Sequence, residues 1–99
     1  MSKRSLWEFD ISIRLHAISH YIELLQIKSD TIEHQKYSMI YGEDIHQWTM
    51  KHIISVSQKI KEIHKDNPVA RVKLSQEHLD EIEKLTGIKA ISYDDTQPS

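Results

Sequence analysis

Three side chains in the first quarter of the chain have a spacing that metal chemistry uses. His16, His20 and Glu23 stand at i, i+4 and i+7. On a helix they project the same way, offering two imidazole nitrogens and a carboxylate oxygen to zinc or a similar divalent metal. The competing reading is a solvated or interface face. A helix that is apolar on its other sides needs polar residues on one strip, and histidines four apart arise readily in a chain with seven: His16, His20, His34, His46, His52, His64 and His78. The solvated face is the expectation and no cofactor is expected, with zinc at His16, His20 and Glu23 as the alternative.

Other constellations carry less. Glu43 and His46 have Glu-x-x-His spacing, which resembles one quarter of a di-iron carboxylate helix bundle; that family needs the motif from two helices, and no second copy occurs here. His52 lies within an apolar helical face. This fits a buried neutral imidazole with one backbone or side-chain partner better than a pH-sensitive contact, although imidazole titrates near neutrality. With only Gly42 and Gly87 there is no phosphate-cradling loop or dinucleotide fingerprint, and no Gly-x-Ser-x-Gly elbow is present. Acid pairs such as Asp80 with Glu83, or Asp94 with Asp95, are explained by solvation. These absences point away from an enzyme.

The element that must organise these residues runs from Asp44 to Lys65. Ile45, Trp48, His52, Ile53, Val56, Ile60 and Ile63 recur at three- and four-residue steps and share one helix face. Asp44 and Gln47 have capping-box spacing at its start, and Pro68 marks its exit. Upstream, Leu6 to Lys28 contains neither Gly nor Pro. Trp7, Ile11, Leu15, Ile18, Ile22 and Leu25 form a helical stripe along the whole segment, whereas the strand-like alternation of Trp7, Phe9, Ile11, Ile13 and Leu15 fails after His16. The spacing therefore predicts a long first helix. Phe9, Ile13, Ala17, Tyr21 and Leu24 make a second apolar stripe, so this helix wants neighbours on several sides, and a second chain is the expected additional one.

Ser29 and Asp30 are expected to end that helix and cap a shorter one through Thr31 to Tyr41, stopped by Gly42. After Pro68, the alternation around Ala70, Val72 and Leu74 reads as a short strand. Ser75 then opens an amphipathic helix through Leu79, Ile82 and Leu85 that Gly87 ends, and Ile88 to Tyr93 reads as a second extended piece. Residues Ala70 to Leu85, with Arg71 and Lys73 on a strand before a Ser-capped helix, resemble the first half of a ribbon-helix-helix repressor, whose paired strands enter the major groove. The resemblance implies DNA contact through Arg71 and Lys73. It covers about a sixth of the chain, and the twelve residues after Gly87 leave no room for that family's second helix.

Composition bounds the rest. Ninety-nine residues with 38% hydrophobic and 28% charged side chains, two glycines and two prolines predict one small helical domain. A net charge of -2 argues against a large nucleic-acid footprint. The absence of cysteine removes disulfides and thiolate chemistry and suits the cytoplasm. No signal-peptide core or membrane span is read in the sequence.

The expected architecture is mainly α: a small helical-hairpin or bundle domain over residues 1–93, Leu6 to Lys28 against Asp44 to Lys65, with a short strand-helix C-terminal appendage and a disordered tail at 94–99. The expected function is a non-enzymatic protein-interaction or regulatory subunit. It would act as a homodimer through Trp7, Ile11, Leu15, Ile18, Ile22, Trp48 and His52, with another protein as a further partner. A small DNA-binding regulator and a histidine-rich metal-binding protein are the alternatives.

Overall fold

Local chemistry sets each boundary of the helical framework. The computed structural model describes residues 6–65 and 70–92, with side chains from residue 9 onward. Helix α1 spans Leu6–Leu25, α2 Ile32–Tyr41, α3 Ile45–Ile63 and α4 Gln76–Thr86. Strands β1, Arg71–Val72, and β2, Ile91–Ser92, complete the element order, with β1 before and β2 after α4. The chain is mainly helical, with a two-stranded parallel sheet near its C-terminal end.

The first helix is continuous through residues 6–15, where the sequence also allowed a strand. It stops three residues short of Lys28: the Gln26 N–H is shared between the Ile22 and Glu23 carbonyls, Ile27 bonds Leu24, and Asp30 takes a left-handed φ of 67°. That tightening is the usual way a last turn closes. Thr31, rather than Asp30, caps α2, its Oγ1 accepting from the His34 N–H at 3.0 Å. Gly42 closes α2 at φ 80°, donating to the Ser38 carbonyl at 2.9 Å. Asp44 caps α3 as expected, with Oδ1 accepting from His46 and Gln47 N–H at 3.0 and 3.2 Å. Ser75 caps α4 and Gly87 ends it at φ 74°. The expected domain ends and tail, and the stop at Pro68, lie outside the described residues.

Helices α1 and α3 pack antiparallel: Tyr21 near the end of α1 meets Trp48 near the start of α3, while Asp10 near the start of α1 meets His64 at the end of α3. Ile11, Leu15, Ile18 and Ile22 turn into a core with Ile53 and Ile60 of α3, Leu79 and Ile82 of α4, and Ala70, Val72 and Ile88 around the sheet. The C-terminal strand-helix segment packs onto the helical hairpin and shares this core. Strand β1 pairs with β2 in parallel, Arg71 with Ile91 and Val72 with Ser92, and α4 forms the crossover that parallel pairing requires. Thr49 and Ser57 are buried on α3; Ser57 Oγ donates to the Ile53 carbonyl at 2.6 Å, while Thr49 Oγ1 has no hydrogen-bond partner among the described residues.

Candidate interaction surface and histidine cluster

The residues expected at a dimer interface are mostly inside the chain. Ile11, Leu15, Ile18 and Ile22 are buried within the intramolecular core, so this stripe is not a surface that a second copy can reach. Helix α3 covers it, and the sheet and α4 close over the rest. Trp7 belongs to the first turn of α1, with its side chain outside the described residues. Trp48 and His52 are half-buried and stack at 4.0 Å with 29° between their planes. Tyr21 meets both rings at 5.7 Å, and Tyr41 lies 4.1 Å from Trp48. His52 Nδ1 donates to the Trp48 carbonyl at 2.8 Å. Both residues are thus engaged in an aromatic cluster that ties α1, α2 and α3 together.

Large apolar side chains are exposed elsewhere. Phe9 and Ile13 of the second α1 stripe remain in solvent, as does Ile54 of α3. The greatest exposure is on α2, where Ile32, Met39 and Ile40 are 84%, 82% and 67% accessible. At 100° per residue, Ile32, Lys36, Met39 and Ile40 fall within roughly 100° of arc on the side of α2 away from its neighbours. Glu33, Lys36 and Tyr37 join Ile32 and Ile40 around a shallow depression there.

His16, His20 and Glu23 do not converge. All three are exposed; His16 Nδ1 donates to the Ser12 carbonyl at 2.7 Å, and His20 Nδ1 stays 3.9 Å from Glu23 Oε2. Nor does Glu43 act with His46, since its carboxylate binds Lys51 Nζ at 2.8 Å. Among the described residues, one group of three does come together: His34, Asp44 and His46, each offering a ligand atom within 4.8 Å of the others. His34 Nε2 is buried without a hydrogen-bond partner, 3.4 Å from Asp44 Oδ2. The His34 and His46 rings meet edge to face at 4.9 Å. His46 Nε2 donates to the Ile27 carbonyl at 2.7 Å. Asp44 is held below the ordinary carboxyl value of 3.8, first by the Gln47 backbone N–H and then by that of His46, with the two imidazoles adding to the effect.

Sequence spacing missed this group because its members belong to the starts of two different helices. The available signals were indirect: Asp44 as an expected cap, His46 two residues later, and His34 three residues after Thr31. Only the packing of α2 on α3 brings them together.

Two further surfaces carry positive charge. A cleft of about 400 Å³ is lined by Ile11, Ile60, His64 and Ile88, with Lys61, Lys65 and Lys89 contributing positive charge. Its buried polar side chain, His64, already donates to Asp10 Oδ2 at 2.9 Å. Arg71 and Lys73 are exposed beside the sheet. Strand β1 has only two residues, pairs in parallel with its own chain's β2 and packs against α1. A ribbon-helix-helix protein instead pairs this strand with that of a second copy. Among the described residues, no helix is long and apolar enough to cross a membrane. Comparison with protein-family models, with curated proteins and with solved structures finds no match to this chain.

Proposed function

We propose that this chain is a small non-enzymatic interaction or regulatory subunit of the cytoplasm that forms homodimers through the outward stripe of α2. The observation that carries the reading is the exposure of Ile32, Met39 and Ile40 on one stripe of a ten-residue helix. Full burial of such a side chain is worth roughly 1.5–3 kcal/mol. Scaled by the three exposures, two copies recover roughly 7–14 kcal/mol on pairing. Association costs about 4–15 kcal/mol in lost freedom. Because the gain and the cost overlap in size, the proposed dimer is a reversible, concentration-dependent one rather than an obligate one.

A second copy suits the surface because Glu33 and Lys36 place both signs of charge beside the stripe. A two-fold pairing then avoids a one-signed face. Methyl NMR over a dilution series tests this. Resonances of Ile32, Met39 and Ile40 should move with concentration while those of Ile18 and Ile53 stay fixed; concentration-independent α2 methyls would remove the proposal.

A further inference from the structure

We propose that His34, Asp44 and His46 form a binding site for a divalent transition metal, with zinc as the best-matched ion. This inference is independent of self-association through the outer stripe of α2.

Three observations point to a ligand. First, His34 is 9% exposed and, among the described residues, its Nε2 makes no hydrogen bond, the Asp44 carboxylate standing 3.4 Å away. A buried imidazole nitrogen in that condition is costly unless something else binds it. Second, the separation between His34 Nε2 and Asp44 Oδ2 is 3.4 Å. Zinc bonds nitrogen and oxygen at about 2.0–2.1 Å in tetrahedral geometry, which places neighbouring ligand atoms about 3.3 Å apart. The pair is thus spaced as one edge of such a tetrahedron.

Third, the surroundings already hold the other two ligands as a metal needs them. The Ile27 carbonyl, by accepting from His46 Nε2, keeps the proton on that nitrogen and leaves Nδ1 with its lone pair. Metal-ligating histidines are oriented by this kind of carbonyl partner. Asp44 Oδ1 is fixed by the α3 backbone, which leaves Oδ2 directed at His34. The backbone N–H of His34 is itself tied to Thr31 Oγ1.

The positive ends of α2 and α3 oppose a bare cation at this place, and the Asp44 carboxylate supplies compensating charge. Two nitrogens and one oxygen match borderline ions such as zinc and disfavour calcium or magnesium, which take oxygen shells. Three protein ligands leave a fourth position for water or another donor. A bound ion would join the first turn of α2 to the start of α3, with the loop after α1 held to His46 through the Ile27 carbonyl.

The test is isothermal titration of untagged, chelator-treated protein with zinc chloride, accompanied by cobalt(II) absorption to report coordination geometry. One ion per chain is expected, with the visible bands of a tetrahedral cobalt site. His34→Gln and His46→Gln, each checked for native circular dichroism, should weaken binding by at least about tenfold. The double variant His16→Gln/His20→Gln should bind like the parent. If either ligand variant fails to fold, imidazole nitrogen NMR of the parent decides the matter: zinc must shift His34 and His46 selectively. The proposal is overturned if the parent takes up no stoichiometric zinc. It is also overturned if binding survives loss of His34 and His46, or disappears with His16 and His20.

Discussion

Replacing Ile18 with alanine separates a core stripe from an interface stripe. Ile18 is fully buried on α1, within a cluster that includes Ile53, Val72 and Ile82. Deleting its side chain beyond Cβ in a site enclosed by three other elements leaves a cavity that the framework closes only in part, a change that costs about 2–5 kcal/mol. A domain of this length has a total stability of about 5–15 kcal/mol, so the loss is a large fraction. With a urea slope near the middle of the usual range, about 2 kcal/mol/M, the unfolding midpoint falls by roughly 1–2.5 M. Met39→Ser, at a position 82% exposed, should change stability by no more than about 0.5 kcal/mol. Urea unfolding followed by circular dichroism at two protein concentrations measures both variants. The reasoning is refuted if Ile18→Ala leaves the midpoint unchanged but abolishes concentration-dependent association, since the stripe would then face a second chain.

Two smaller effects follow from polar groups. Asp10 accepts from Arg14 Nε and His64 Nε2 at 2.9 Å each, which lowers its affinity for protons below the ordinary value, with the Arg14 bond the larger cause. Its contribution is therefore present above the unfolded carboxyl value and is lost as pH falls through the lower folded value. Asp10→Asn should flatten the acid side of the stability–pH curve; the effect is limited because the side chain is 37% exposed. Thr49 is fully buried with an unpartnered hydroxyl, so Thr49→Val should be neutral or stabilise by up to about 1 kcal/mol in urea unfolding, and a clear loss would mean that the hydroxyl is satisfied.

What the sequence made legible follows the range of the interactions involved. The organising helix was readable because Asp44, the apolar repeat and the terminating residues are local signals, and α3 spans Ile45–Ile63. Gly42 and Gly87 were readable as left-handed stops for the same reason. The role of the α1 stripe was not. A helix apolar on two sides does not reveal which side its own chain covers, and the cover here comes partly from Ala70, Val72, Leu79 and Ile82, far along the sequence. Parallel pairing of Arg71–Val72 with Ile91–Ser92 escaped because two-residue strands carry no periodic signal. The cap of α2 shifted by one residue, from Asp30 to Thr31, because Asp30 is used in the turn at positive φ.

The histidine cluster shows the same limit. A scan along one helix face finds His16 and His20, which stay in solvent, and passes over His34 and His46, which only tertiary packing brings within reach of each other.

Sedimentation velocity of the untagged protein, from about 1 to about 300 μM, tests most directly whether this is a self-associating subunit. The parent should shift from monomer toward twice the monomer mass as concentration rises, and Ile32→Glu/Ile40→Glu should remain monomeric with an unchanged circular dichroism spectrum. A parent that stays monomeric throughout, or a double variant that associates as the parent does, would contradict the assignment of α2 as the contact surface.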